Sequence, residues 1–564
     1  MTKKKFTVTS ALPYANGPLH IGHIAGAYLP ADIFVRYQKL KGNDVVFICG
    51  SDEHGAAITL RAKKDGVNPK EIVDKYHKIN KQAFKDFGIN FSIYHRTSSD
   101  LHHETAKDFF LELNSNNGFT KKVNKQFFDE ENNQFLADRY IIGTCPKCGH
   151  DHAYGDQCEK CGTALSPDEL INPKSTLSGK RPIKKETTHW YLPMQDHENW
   201  LKDWIVKGIL DGENHHDPKN WKNQVLGQCK SWIDGGLKER AMTRDLDWGV
   251  EVPVNGENGK VLYVWMDAPI GYISATKQWA ADNNKNWEDY WKNNSSELIH
   301  FIGKDNIVFH CIIFPILLKL NKNFNLPTNV PANEFLNLEG EKLSTSRNWA
   351  IWLHEYLEEF KGQEDALRYT LCATAPENKD TDFTWADFQA RNNNELVAIF
   401  GNFINRVVVL TNKYWDGIVP EKSNLEKYDK EVIDSLSKYP DLIGEKIEKY
   451  KFKEALQELM KLARLGNKYL ADTEPWKLKK INEKRTETII NISLQIAASL
   501  SILSEPFLPF TSKKLKGILN VSDLTWQSAS TENLNAGSKI NKSTLLFSKI
   551  EDEIIANQIL KLKS

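Results

Sequence analysis

Within the first 55 residues a short β-rich run, FTVTSAL at 6–12, leads through the turn PYANGP into an apolar-periodic stretch, HIGHIAGAYLPADIFVRYQKL. A second buried run, DVVFICGSDEHG, follows directly. Strand, helix and strand at this spacing build a parallel pair joined by a right-handed crossover, and this constrains the rest of the chain more than any other feature. Pro30 lies inside the helical stretch and cannot donate to the Gly26 carbonyl, which predicts a kink or a restart there. Two further apolar runs, KVLYVWMDAPIGY at 260–272 and ELIHFIGKDNIVFH at 297–310, are also read as strands giving way to polar loops. Four such switches predict one ligand crevice at the carboxyl ends of a doubly wound, Rossmann-like parallel sheet.

With 564 residues the chain exceeds what one hydrophobic core supports, so two to four domains are expected. Residues 1–114 and 256–388 carry the sheet pattern. Residues 115–255, with clustered cysteines and Trp-rich, turn-rich sequence, interrupt it and read as an insertion in a loop. From ELVAIFGNFINRVVVL to about LSILSEPFLPF the texture is long helical periodicity, so 389–520 is expected to be an all-helical domain. Residues 521–564 hold a Ser/Asn-rich loop and a short amphipathic helix, KIEDEIIANQILKLKS. The fold class is therefore α/β, with a cysteine-bearing insertion and a following all-helical domain.

Lys plus Arg (74) equals Asp plus Glu (74), so total charge is silent on nucleic acid and any anion site must be local. The opening MTKKKFTV lacks an apolar stretch of signal-peptide length, and the longest apolar run, CIIFPILL, is too short for a bilayer. A soluble, cytoplasmic protein without membrane contact is expected. Of the eight cysteines, Cys145, Cys148, Cys158 and Cys161 form two CxxC knuckles nine residues apart. Four thiolates at this spacing match a closed tetrahedral zinc site, structural because it leaves no open position. His150 and His152 lie between the knuckles and could replace a cysteine ligand, though bonding to the ligands or facing solvent is the preferred reading. Cys49, Cys229, Cys311 and Cys372 read as inert buried thiols.

His20 and His23 stand one helical turn apart where a strand ends and a helix begins. There the helix N-terminus attracts anions and two imidazoles can add donors to a phosphate. An isolated HxxH pair reads equally as capping or core histidines. Far downstream, LEGEKLSTSRNW offers Lys342, small hydroxyls and Arg347 in a loop suited to closing over a triphosphate. Neither GxxxxGK[ST] nor GxGxxG occurs, so no P-loop or dinucleotide fingerprint explains the crevice.

These motifs together resemble the class I aminoacyl-tRNA synthetases, and among them the methionyl-tRNA synthetase family. The resemblance runs through ALPYANGPLHIGH, FICGSDEHG, the four-Cys knuckle, YVWMDAPIGY, FIGKDNIVFH, EGEKLSTS and EPWKL, and so covers nearly the whole chain. It implies ATP-dependent activation of methionine followed by transfer to tRNA(Met), initiator and elongator, with magnesium accompanying ATP. His20, His23 and Lys342 would stabilise phosphate charge, with Ser344, Thr345 and Ser346 completing the ATP loop and Asp305 orienting the ribose or adenylate. Ala11, Leu12, Tyr14, Trp265, Ala268, Pro269, Tyr272 and His310 match the family's methionine pocket. Asp52 matches its ammonium-binding acid and Arg244 an arginine near the carboxylate. Asn402, Arg406 and Trp476 match its readers of the CAU anticodon. Two positions depart from the pattern: Thr345 replaces the usual second loop lysine, and Asn306 stands where many relatives carry an aliphatic residue.

The weighed alternatives are a class I synthetase for another apolar amino acid, a tRNA-binding paralogue without catalysis, and a bare zinc-ribbon nucleic-acid module. The insertion here is mostly committed to knuckles and connecting structure, whereas relatives that activate valine, isoleucine or leucine carry a large editing domain there. A monomer is expected by analogy, because the chain ends at Ser564 without room for the domain that dimerises some relatives.

Overall fold

The computed structural model describes residues 3–563 except 137, 156, 157, 159, 162, 164, 346 and 523. Its centre is a five-stranded parallel sheet of β1 (Lys5–Ser10), β2 (Asp44–Ser51), β3 (Ile93–Arg96), β4 (Ser296–Gly303) and β5 (Ala332–Asn333). The order across the sheet is β5-β4-β1-β2-β3. β1 pairs with β2 from Lys5↔Asp44 and with β4 from Lys5↔Ser296, so the chain order reverses between β1 and β4. That switch point opens the crevice at the carboxyl ends, beside Ala11 and Gly303.

The strand expected over 260–272 is a correction. Only Val261–Leu262 is extended, paired antiparallel with Thr243–Arg244 outside the central sheet, and Val264–Asp282 is a helix. An apolar run buried on all sides carries no strand period, and here it packs as a helix against β2 and β3. The run at 297–310 behaves as expected, with β4 ending in a tight turn at Lys304–Asn306.

The helix after β1 restarts where Pro30 predicts it, in a modified register. Ile24–Tyr28 forms a wide π turn in which the Leu29 amide donates to the Ile24 carbonyl, and a regular helix runs from Leu29 to Leu40. In this i→i+5 register the donor missing at Pro30 orphans the carbonyl of Ala25, and not that of Gly26. The Asn333 side-chain amide supplies the lost bond, at 2.9 Å.

The insertion forms an antiparallel sheet ordered Arg240–Ala241, Ile183–Leu192, Thr120–Asp129 and Gln134–Phe135, and a small sheet around the cysteines. The helical domain packs Asn402–Trp415, Lys427–Glu448, Phe452–Thr473 and Glu483–Leu503. Glu483–Leu503 is long and apolar enough to cross a membrane, yet 94% of that stretch is buried as the core of the bundle. The 521–540 segment is mostly loop, anchored by the buried Trp526, and Asp552–Lys563 is the closing helix.

Candidate active site

His20 and His23 are capping histidines and site histidines at once. The His20 Nδ1 accepts from the Gly22 amide at 3.1 Å, and the His23 Nδ1 accepts from the His20 amide at 3.1 Å. The rings stack with centroids 3.7 Å apart. Because each Nδ1 is an acceptor, each neutral ring carries its proton on Nε2, where it can donate outward. Burial, then His23, lowers the His20 pKa well below the ordinary value, and burial lowers that of His23 to about 4. Both are therefore neutral donors at pH 7. Selectively labelled imidazole resonances, assigned with His20→Gln and His23→Gln, are expected to titrate well below the ordinary histidine value, near 4 for His23. Protonation near 6.5 would exclude the capped geometry. The same shifts favour the unfolded chain as pH falls from about 6.5 towards 4, since it then binds more protons.

The loop 342–352 closes onto this turn. The Ile21 amide donates to the Ile351 carbonyl at 3.1 Å, the Leu353 amide to Leu19 at 2.8 Å, and the His20 and Trp352 rings lie 6.0 Å apart. A methyl group added at Gly22 would stand 2.5 Å from Leu343 Cδ1 and 3.0 Å from the His20 ring, so the glycine lets the two segments approach closely. Two motifs more than 300 residues apart thus form one wall. Lys342 and Thr345 are exposed, and Ser344 pairs through its backbone with Trp349. Arg347 meets Glu341 at 3.1 Å. Ser346 lies outside the described residues. Asp305 is exposed on the turn after β4 and bonds to the Asn306 amide at 3.2 Å.

Deeper in the crevice the Ala11 amide donates to Phe301 at 3.0 Å, and the Tyr28 hydroxyl donates to Ala11 at 2.9 Å, which fixes the end of β1. The Tyr272 hydroxyl lies 3.0 Å from His310 Nε2, whose Nδ1 lies 3.1 Å from the Asn306 carbonyl. A carbonyl can only accept, so His310 carries its proton on Nδ1 and takes the Tyr272 proton at Nε2. Any residue at 306 supplies this carbonyl, so what the departure to asparagine adds is the side-chain amide that donates to Asp305. Leu12, Ala268 and Pro269 pack nearby in the core, and Trp265 lies under the Arg240 guanidinium at 3.4 Å. Tyr14 is 43% exposed, on the rim beside Asp52.

Asp52 is buried at the foot of this pocket and accepts only a long bond, 3.5 Å, from the His54 amide. Among the described residues no cation pairs with it. Burial, then the charge of Asp267, push its pKa well above the carboxylate range. Asp267 is the residue that motif reading missed. It bridges His54 Nδ1 at 2.6 Å and His102 Nε2 at 2.5 Å across 213 and 165 residues of sequence. Burial opposes its charge, but the two histidines outweigh that and keep its pKa below the usual range. The pair is thus divided into one satisfied acid and one, Asp52, suited to a cationic ligand. Arg244 holds its guanidinium over the Tyr263 ring at 3.7 Å and donates to the Ala241 and Thr243 carbonyls.

The four knuckle thiols gather with all Sγ atoms within 4.8 Å of one another. Cys145–Cys161 and Cys148–Cys158 are 3.9 and 3.7 Å apart, against an edge of about 3.8 Å for a tetrahedron of 2.3 Å zinc–sulfur bonds. The donor set fits zinc without His150 or His152, whose rings pack against each other at 6.1 Å. In the helical domain the Arg406 guanidinium lies 4.8 Å over the Trp476 ring, and Asn402 is exposed one turn earlier on the same helix.

Residues 6–408 match the family model for class I tRNA synthetases (M), and 419–562 match the anticodon binding domain of methionyl tRNA ligase. The chain belongs to the class I methionyl-tRNA synthetases. A methionine–tRNA ligase of Cytophaga hutchinsonii is 60% identical over all of this chain and 82% of its own length, and one of Bacteroides fragilis is 58% identical over 99% and 81%. The fold matches that of Mycobacterium tuberculosis methionyl-tRNA synthetase in complex with methionyl-adenylate. That match has a TM-score of 0.80 at 22% identity and covers 96% of this chain and 99% of the other.

Proposed function

We infer that the crevice activates methionine and loads it onto tRNA, so that the chain is a methionine–tRNA ligase. One observation carries this reading: the His20–His23 turn and the 342–352 loop close one wall of a pocket whose foot is an unpaired buried acid. Asp52 receives the methionine ammonium group, and Tyr272 and His310 meet its side chain. The methionine carboxylate oxygen attacks the α-phosphorus of ATP, the bond to the β-phosphate oxygen breaks, and pyrophosphate leaves. The Nε2–H groups of His20 and His23, with Lys342, donate to the phosphate oxygens as charge builds. Ser344, Thr345 and Ser346 contact ATP from the same loop, and Asp305 accepts from the ribose. A tRNA terminal hydroxyl then attacks the adenylate carbonyl and AMP leaves.

Magnesium accompanies ATP and neutralises phosphate charge. Zinc is held by the four cysteines and serves structure, since all four positions are taken. Shape alone separates methionine from leucine by only about 1–3 kcal/mol, so the Tyr272–His310 dipoles must contribute. Arg406 and Trp476 read the anticodon with Asn402, in initiator and elongator tRNA(Met) alike. The enzyme acts as a cytoplasmic monomer.

Amino-acid-dependent ATP–pyrophosphate exchange without tRNA tests the first step. Exchange with methionine and not with leucine, isoleucine or valine is expected, and exchange with another of these would overturn the substrate. Trp476→Ala is expected to lower kcat/KM for tRNA charging by roughly 5- to 150-fold, the worth of one stacked base. An equal loss in tRNA-free exchange would instead mark a structural role.

A further inference from the structure

The helix Phe452–Thr473 leads at its far end, past Glu474, into Pro475 and Trp476. Its 22 residues span about 33 Å. Gly466 in its last third packs against Phe403, where an added methyl group would stand 2.5 Å from the ring, so this helix is in close contact with the helix of Asn402 and Arg406. At its other end the Lys453 amide, one of the unsatisfied donors of a helix start, donates to the Glu377 carboxylate at 3.0 Å.

From Glu377 an unbroken set of hydrogen bonds leads to the phosphate site. The Lys222 amine donates to the Glu377 carbonyl at 3.0 Å and to the Asn333 side-chain oxygen at 2.7 Å. Asn333, 3% exposed, donates at 2.9 Å to the Ala25 carbonyl orphaned by Pro30, two residues beyond His23. Lys222 also donates to the Ala332 carbonyl at 3.1 Å. None of its three acceptors is a carboxylate, and burial lowers its pKa to about 8. A desolvated ammonium among neutral oxygens adds little to stability. It does join the insertion to the catalytic unit at Ala332, Asn333 and Glu377, and Glu377 in turn holds the helical domain at Lys453.

We propose that Lys222 is a positioning residue that ties the Phe452–Thr473 helix to the π turn carrying His20 and His23, so that occupancy of the Arg406–Trp476 stack is felt at the phosphate site. The second half of this proposal rests on the anticodon reading of that stack; the first half does not. The two domains have an independent anchor in the fully buried Arg368, which donates to Asp32 on the Leu29–Leu40 helix at 2.6 Å and to the Phe507 carbonyl at 2.9 Å. Removing the Lys222 amine therefore leaves the domains docked.

The test uses the full chain with Lys222→Met, Lys222→Arg, Asn333→Ala and the Met/Ala double variant. In tRNA-free exchange, Lys222→Met should lower kcat roughly tenfold with KM for ATP and methionine within about threefold, since a small misplacement of the histidines costs rate. Lys222→Arg should recover part of that loss, and the double variant should lose no more than the worse single one, as partners in one network do. In charging assays with cognate and anticodon-altered transcripts, the wild type should lose both kcat and KM to the altered anticodon, whereas Lys222→Met should lose KM alone. Unchanged kcat in exchange, or additive losses in the double variant, would overturn the positioning role. An anticodon effect on kcat that survives in Lys222→Met would overturn the coupling. A wild type indifferent to the anticodon would remove the reading of the stack, and the exchange result would still decide the role of Lys222.

Discussion

Asp52→Asn is expected to lower kcat/KM for methionine in ATP–pyrophosphate exchange by about 30- to 4,000-fold, the 2–5 kcal/mol typical of truncating a buried charged pair. The same variant should be no less stable than the wild type and more stable at high pH. In the ligand-free protein the Asp52 carboxylate is buried beside Asp267 without a cation, and its pKa is raised. A carboxyl whose pKa is higher folded than unfolded binds protons more tightly in the native state. Its effect on stability is therefore neutral below the unfolded value near 4 and becomes a growing penalty as pH rises through the folded value. Asparagine removes that penalty. Melting temperatures of the two proteins at pH 5 and pH 8 should show the gap in favour of the variant widening at pH 8. A loss of activity below about fivefold would mean that the ammonium group binds elsewhere. A variant destabilised at both pH values would mean that the carboxylate is a structural partner and not an acid held open for a ligand.

The contrast between Asp52 and Asp267 shows what a sequence does and does not disclose. The family resemblance placed Asp52, which stands three residues before Gly55 in the strand-to-loop switch FICGSDEHG, where φ of +106° at Gly55 requires a glycine. β1, β2 and β4 were legible for the same local reason. Asp267 lay inside a run that reads equally as strand or helix, and its partners are set by the fold, 165 and 213 residues away. Arg406 over Trp476, and Asn333 under Ala25, are likewise pairs that no periodicity marks. The sequence did announce the gap at Pro30, but only the π register, a property of the packed helix, decides which carbonyl is orphaned. Arg240 over Trp265 gave no signal beyond an ordinary surface arginine. The four cysteines were fully legible, because CxxC spacing is itself the geometry of a thiolate knuckle.

Cys158→Ser should give the second large effect, and it should reach the methionine pocket although the knuckle touches no substrate. Bound zinc in such sites stabilises the fold by on the order of 10 kcal/mol, and serine cannot complete the tetrahedron. The knuckle core contains Cys145, Cys158, Tyr140 and Ile141 together with Ala56, and Leu60 packs against it. The Tyr140 hydroxyl meets the Thr59 hydroxyl at 2.5 Å. Ala56, Thr59 and Leu60 belong to the helix Ala56–Asp65, which begins directly after Gly55 and so fixes the loop of Asp52 and His54. Loss of metal should loosen that helix first, because it loses its packing against the knuckle core and keeps only the face on which Ile58 and Ala62 meet Ala15, Trp248 and the Pro69–Asp86 helix. The expected result is metal content falling from one zinc per chain to near zero, with faster amide hydrogen exchange across 56–65. KM for methionine should rise about tenfold, a loss of about 1.4 kcal/mol from a displaced Asp52. The helical bundle, whose core around Glu483–Leu503 is continuous with one face of the central sheet and separate from the knuckle cluster, should keep its protection. Metal-free protein with an unchanged KM for methionine would show that the knuckle folds independently of the pocket. Metal-free protein with loss of protection throughout would show that zinc supports the whole catalytic unit, and not the one helix that joins it to Asp52.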